Sequence, residues 1–351
     1  MIEGSLLRVL ITRLSAVGDC IHTLPLAAAI RARYPRAMIA WCVESGAAPL
    51  VQSHSAVNRT VVLKKGWLKS PAAVWQARQQ LRTLKCDVVI DPQSLSKSAI
   101  AGWLSGAKTR IGFAPPQGRE VAPWMHTLRI DRTATHVVDS YMQLLEPLNI
   151  SHTSPHFGLQ ADPEARASVD KFIFHTSLQP GYAIINPGAG WDSKVWPAER
   201  YAQVARHLGA SAGIKSVVVW AGEREKHWAE EIVTTAGEHA VLAPKTSLLE
   251  LACLVKSAKF FVGSDTGPMH MAAAFGVPCI AMFGPTTAEE CGPYGHGHIT
   301  LQKQHHAGSA TERRGADNTA MCAIEVTDVC NACDQFIERM KKSDNNARRA
   351  A

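Results

Sequence analysis

Residues 8–25 read RVLITRLSAVGDCIHTLP. Val9 to Ile11 is a short apolar run and predicts a buried strand. It passes through Ser15-Ala16-Val17-Gly18-Asp19 into a segment where Ile21, Leu24, Leu26, Ala28, Ala29 and Ile30 recur at helical spacing. A strand that turns over small residues into a helix places its turn at the carboxyl edge of a parallel sheet, where open α/β folds bind ligands. Asp19 in that turn is therefore a candidate general base aimed at a crevice. It equally suits a helix-capping role.

The same alternation continues on either side of the helix. Met38 to Val43, Val61 to Leu63, Cys86 to Ile90 and Thr109 to Phe113 read as further strands, and Asp91-Pro92-Gln93-Ser94 is a second polar loop at a strand's end. This βαβα order predicts an α/β fold with a parallel sheet covered on both faces. Around 149–180 the prolines 147, 155, 163 and 180 interrupt the pattern, and alternation restarts at Tyr182. At 351 residues two domains are expected: a first over 1–155, a linker over 156–180 and a second over 181–337. Residues 303–319 read as an exposed loop and 338–351 as a disordered tail.

Composition excludes several classes. The chain is 46% hydrophobic and 19% charged, ordinary for a globular protein, and no apolar run is long enough to span a membrane. Met1 to Thr12 carries Glu3 and does not read as a signal peptide. Nine cysteines, an odd number, sit largely in apolar runs, which suits reduced thiols in the cytoplasm. The net charge of +7 looks dispersed along the chain and narrows the partner to something anionic: a small molecule or a membrane surface explains it as well as nucleic acid, which is not the expected partner.

The second half holds two ligand-binding turns. Asn186-Pro187-Gly188-Ala189-Gly190-Trp191-Asp192-Ser193-Lys194 follows a strand. Gly188 and Gly190 allow close backbone approach, and Lys194 offers a point charge for a phosphate. The dinucleotide fingerprint is excluded because Ser193 stands where its third glycine belongs, and no P-loop pattern occurs anywhere. The second turn is Val262-Gly263-Ser264-Asp265-Thr266-Gly267-Pro268-Met269-His270. Its helix N-terminus predicts an anion site formed by the N–H groups of Thr266, Gly267 and the first turn. Asp265 would accept a sugar hydroxyl or cap the helix, and His270 lies one turn in. Cys322, Cys330 and Cys333 lack the paired spacing of a structural zinc site, so no metal is expected.

Taken together these segments resemble the lipopolysaccharide heptosyltransferases, through RLSAVGDCIHTLPLAAAIRARYP, VIDPQSLSKSA at 89–99, RIGF at 110–113, NPGAGWDSKVWPAERYAQVA at 186–205, VGSDTGPMHMAAAFGVPCIAMFGPT at 262–286 and AMCAIEVTDV at 320–329. The resemblance implies a GT-B fold of two Rossmann-like domains facing across a cleft. It also implies inverting transfer of heptose from ADP-L-glycero-β-D-manno-heptose to the lipopolysaccharide inner core, without a cofactor or metal. By position it makes Asp19 the catalytic base and Lys194 the donor-phosphate lysine. Gly188, Asp265, Thr266, Gly267 and His270 fall in the donor site, Glu223 or Glu225 at the ribose, and Lys97 and Arg119 on the acceptor side. The expected partners are a nucleotide sugar, an anionic lipid-linked or glycan acceptor and the inner face of the cytoplasmic membrane. Residues 301–320 lack the cysteines found in many relatives, which leaves the acceptor open. A same-family enzyme with another donor or a non-lipid acceptor, and a silent nucleotide-sugar binder, remain alternatives.

Overall fold

The computed structural model describes residues 6–151, 153–178 and 181–350. Residues 1–5 (Glu3 among them), Pro180 of the expected boundary and Ala351 of the expected tail lie outside these. The chain divides into units of residues 1–160 and 161–351.

The first unit runs β1 (Arg8–Thr12), α1 (Val17–Arg33), β2 (Met38–Glu44), α2 (Ala48–Gln52), β3 (Arg59–Leu63), α3 (Pro71–Thr83), β4 (Val88–Asp91), α4 (Ser96–Leu104), β5 (Thr109–Phe113), α5 (Ala122–Met125), β6 (Leu128–Ile130) and α6 (Val137–Gln143). Its six strands lie in the order β3-β2-β1-β4-β5-β6, all parallel. Successive side chains of a strand point to opposite faces. Val9 and Ile11 of β1 and Ile39, Trp41 and Val43 of β2 accordingly join a core with α1 and α6. Leu10, Ala40 and Cys42 join a second core with Ala77 and Leu81 of α3 and Ala101 and Leu104 of α4. Right-handed crossovers require this division: the connections toward β3 lie on one face and those running back toward β6 on the other.

The second unit runs α7 (Pro163–His175), β7 (Ala183–Asn186), α8 (Ala198–Ala212), β8 (Ser216–Val218), α9 (Gly222–Ala236), β9 (Ala240–Leu242), α10 (Leu248–Lys256), β10 (Phe260–Ser264), α11 (Gly267–Ala274), β11 (Cys279–Met282), α12 (Ala288–Cys291), β12 (Ile299–Leu301), α13 (Ala310–Gly315), α14 (Thr319–Cys322) and α15 (Val326–Ala350). Read from β9, the sheet order is β9-β8-β7-β10-β11-β12. Both units thus have the same doubly wound order, with strand direction of travel reversing between β1 and β4 and between β7 and β10. Those switch points are where such sheets hold ligands.

Three expectations change. Residues 156–180 are not a bare linker: α7 occupies 163–175, its N-terminus capped by Asp162 Oδ1 on Ala165 N at 2.9 Å, with Pro163 in the first turn and Val169 and Ile173 buried. Residues 303–319 contain α13, closed by a capping box in which Ser309 Oγ accepts Glu312 N and the Glu312 carboxylate accepts Ser309 N. The expected tail continues α15 to Ala350; it carries no Gly or Pro to end the helix. The buried stripe Val329, Cys333, Phe336 and Ile337 seats the start of α15 on the core.

Among the described residues no helix is long and apolar enough to cross a membrane. All nine cysteines are free thiols. Cys330 and Cys333 belong to the packing of the second unit's core, where burial pushes the Cys330 thiol up to about 11.

Candidate functional site

Arg13, the residue after β1, is the centre of the first unit's switch point. Its guanidinium is buried, donates to Pro92 O at 3.2 Å, and pairs with Asp19 Oδ1 at 2.5 Å. Burial opposes its charge, but Asp19 beside it holds the guanidinium above its ordinary range. Asp19 sits at the third position of α1, where Oδ2 also accepts Ala16 N at 3.0 Å. The capping role is therefore real, and the carboxylate is still 44% exposed, open to a ligand. Gln93 Oε1 accepts Leu14 N at 2.9 Å and ties the Asp19 turn to the loop after β4.

These residues line a cavity of about 360 Å³ together with Ser15, Tyr141, Arg119 and Arg132. Lys97 is not among its lining residues; it lies behind Ser15, donating to Ser15 Oγ at 2.7 Å and to Glu44 Oε1 at 3.1 Å. Of the two cations expected on the acceptor side, only Arg119 reaches the cavity. Arg132 is an addition the sequence did not mark, because it lies in an irregular stretch between β6 and α6.

Asp91, at the end of β4, shapes the loop beneath this cavity. Its Oδ1 accepts Gln93 N and Ser94 N, and Oδ2 accepts Ser98 Oγ at 3.0 Å and meets His126 Nε2 at 3.1 Å. Both members of the Asp91–His126 pair are almost completely buried. Gly112 makes room for it, since a Cβ there would fall 2.1 Å from the His126 ring.

The second unit brings the loop after β7 against the turn after β10. Lys194 Nζ lies 2.5 Å from Asp265 Oδ2 and 3.3 Å from Asp265 O, and 4.4 Å from the Trp191 ring centroid. Asp265 Oδ1 meets His270 Nε2 at 3.0 Å, and Oδ2 also accepts Thr286 Oγ1 at 2.8 Å and Cys291 Sγ at 3.6 Å. Burial opposes ionisation of Asp265, but the His270 hydrogen bond and the Lys194 charge hold it well below the usual carboxylate range. Burial and the Asp265 charge push the Cys291 thiol far up, so it stays a donor.

Two site expectations are corrected here. Asp265 does not cap α11, whose N-cap Thr266 has no side-chain cap bond; its Oδ2 holds Lys194, Thr286 and Cys291, and its Oδ1 holds His270. It positions the lysine and the histidine. The anion site at α11 is also narrower than expected. Pro268 has no N–H, and the N–H groups of Met269 and His270 turn back to Thr266 O. Only the Thr266 and Gly267 N–H groups remain for a ligand. Thr266 Oγ1 is held by Asn186 Nδ2 at 3.1 Å, which joins the two turns.

Glu225, not Glu223, faces this site. A Cβ at Gly188 would lie 2.3 Å from the Glu225 carboxyl carbon, whereas Glu223 is exposed on the first turn of α9. Burial raises the Glu225 pKa against its bond from Ala221 N at 2.8 Å. Among the described residues no group of three or more His, Cys, Asp and Glu side chains is placed to hold a metal ion.

The model for glycosyltransferase family 9 (heptosyltransferase) matches residues 74–319, a span that includes Arg119 and Arg132 of the cavity and the whole Lys194–Asp265 cluster, and begins after Arg13 and Asp19. The chain belongs to glycosyltransferase family 9. Lipopolysaccharide heptosyltransferase 1 of Pseudomonas aeruginosa is 30% identical over 319 residues, 84% of this chain and 83% of that protein. Among solved structures, the family 9 glycosyl transferase of Veillonella parvula has a TM-score of 0.82 at 25% identity, covering 95% of this chain and 97% of that one. The heptosyltransferase WaaC of Escherichia coli with ADP-2-deoxy-2-fluoro heptose has a TM-score of 0.72 at 26% identity, covering 95% and 99%. The two parallel six-stranded sheets of this family 9 glycosyltransferase are a GT-B-like α/β fold.

Proposed function

We propose that this glycosyltransferase moves heptose from an ADP-activated donor to the inner core of lipopolysaccharide, with inversion and without a metal. The observation that carries the reading is Lys194. Two of its three N–H donors are fixed on Asp265, and the remaining one is available to a donor phosphate beside the Thr266 and Gly267 N–H groups. The names of the relatives, lipopolysaccharide heptosyltransferase 1 and a WaaC structure holding an ADP-heptose analogue, support the donor and the acceptor class.

The chemistry then divides between the units. The acceptor hydroxyl is a weak nucleophile, and Asp19 takes its proton as the new glycosidic bond forms. The bond from the anomeric carbon to the β-phosphate oxygen breaks, and ADP departs with that electron pair. Charge grows on the diphosphate as it leaves, so Lys194 and the α11 N–H groups stabilise the transition state more than the ground state. Glu225, partly desolvated at the Gly188 loop, suits the ribose hydroxyls. Arg119 and Arg132 suit an anionic acceptor in the Asp19 cavity.

The test is mass spectrometry of the purified protein with ADP-heptose and lipid A acceptors bearing inner-core sugars, alongside calorimetric titration of ADP. Addition of one heptose to the acceptor is the expected product. Turnover of a different nucleotide sugar in place of ADP-heptose would overturn the donor reading. Binding of ADP without turnover of any donor would make the protein a binder.

A further inference from the structure

The positive charge of this chain is not dispersed. Residues 59–130 contain twelve Lys and Arg against three Asp and Glu, one of which is the buried Asp91. The remainder of the chain holds 25 basic against 27 acidic residues. The entire positive excess therefore lies in the segment that forms β3 to β6 and the helices α3, α4 and α5. These helices share one side of the sheet: α3 and α4 close the same core, α3 packs on α4, and α4 on α5. Each carries a tryptophan pointing away from that core. Trp75 of α3 is 63% exposed, Trp103 of α4 is 55% and Trp124 of α5 is 84%. Leu68, shortly before α3, and Val121, immediately before α5, are also exposed, and Lys64, Lys65 and Lys69 stand exposed on the approach to α3.

Exposed indoles are costly in water unless a partner covers them, and one on each of three neighbouring helices is an apolar patch rather than a scatter. Tryptophan set among lysine and arginine is the combination that an anionic bilayer surface selects: indoles settle at the headgroup level, and the cations meet the headgroup charge. We propose that the α3–α4–α5 face docks on a bilayer carrying anionic lipid headgroups. A second copy of this chain fits poorly, because a symmetric contact would set one positive patch against another. Pro116, Gln117 and Arg119, which line the Asp19 cavity, lead directly into Val121 and α5. The docked face thus borders the cavity that would receive a lipid-linked acceptor. The inference itself does not depend on the heptosyl reading, since vesicle binding is measured without turnover.

The full-length protein is sedimented with vesicles of phosphatidylcholine alone and of phosphatidylcholine mixed with phosphatidylglycerol. Binding is expected only to the mixed vesicles, weakening as salt is raised. A basic residue near an anionic surface contributes about fivefold to partitioning, so K64E/K65E/K69E should lower it about a hundredfold or more. W75A/W103A/W124A should lower it about tenfold or more. Unchanged circular dichroism and unchanged ADP titration in both variants would show that the loss is one of docking, not of folding. Equal binding to neutral vesicles, no binding to either kind, or variants that bind like the parent would each overturn the proposal. So would a dimer that the tryptophan variant disperses, or capture of duplex DNA in preference to the vesicles.

Discussion

Lys194 and Asp265 stand 2.5 Å apart, Nζ to Oδ2, with side chains only 12% and 6% exposed. They come from loops 71 residues apart that follow β7 and β10, the two strands flanking the second unit's switch point. A pair this buried is fragile when one member is removed, because the other is left charged without a partner. The carboxylate also holds His270, so one residue sets the geometry of both.

Removing the lysine tests the donor side. Lys194→Ala takes away a charge-assisted contact worth about 1.5–3 kcal/mol, so ADP affinity should fall roughly ten- to a hundredfold. Arg119→Ala, in the other unit, should leave ADP affinity unchanged and alter only acceptor kinetics; Lys97→Ala should also leave ADP affinity unchanged, and can reach the acceptor only through Ser15. Calorimetric titration of the three variants decides it, and a comparable ADP defect in either first-unit variant would show that donor and acceptor have been assigned to the wrong halves.

Asp265→Asn should destabilise the protein by about 3–5 kcal/mol at neutral pH, the usual cost of breaking a buried pair. The sign with pH follows from the depressed pKa. A carboxyl held below its unfolded value of about 3.9 contributes stability above that pH and loses it as pH falls. The parent and Asp265→Asn should therefore converge in denaturant midpoint as pH drops below about 4. A gap that stays constant down to strongly acid pH would mean that the Asp265 charge is not what stabilises the cluster.

At the other switch point, Asp19→Asn keeps a side-chain oxygen for Ala16 N but loses the charge that meets Arg13 and would take the acceptor proton. The expected result is a fall in kcat of about a hundredfold or more, with ADP affinity intact. Turnover close to the parent's at saturating substrates would remove Asp19 from the role of base.

Gly188 and Glu225 offer a double-mutant test of the nucleotide loop. Gly188→Ala puts a methyl 2.3 Å from the Glu225 carboxyl carbon; this end of a flexible side chain must swing away from Ala221 N, and losing that bond should cost about 1 kcal/mol. Combining it with Glu225→Ala should cost little beyond Glu225→Ala alone. Additive losses in thermal denaturation would mean that the two residues do not share this space.

Metal independence is tested by EDTA. If Lys194 and the Thr266 and Gly267 N–H groups meet the leaving diphosphate as proposed, activity should persist in the chelator with little loss. Complete inactivation reversed by Mg²⁺ or Mn²⁺ would place a cation at the centre of the leaving-group chemistry.

The ligand-bearing turns were legible because a strand, small residues and a helix follow one another within some fifteen positions. Asp19, Gly188, Lys194 and the 264–270 turn could all be marked this way. Side-chain partnerships were not legible, since Arg13 with Asp19 and Asp91 with His126 depend on which loops the sheet order brings together. Asp265 shows the limit: its type and position suggested a ligand contact or a cap, and only the fold shows which neighbours its oxygens hold. Strands of three residues such as β6, β9 and β12 are too short for a period to register. Two signals were present but unread, the Ser309-to-Glu312 capping box and the basic excess of residues 59–130, which a count by segment shows at once.

Each unit closes its own hydrophobic core over its own complete six-stranded sheet. Two units that unfold separately would show two transitions, and a damaging substitution should then shift only one of them. A lesion such as one at Gly112 would then strike the half that holds Asp19, while the half that holds Lys194 should keep its fold. Mutational tolerance should then partition by half, with each sheet able to drift in sequence while the other goes on holding its share of the reaction.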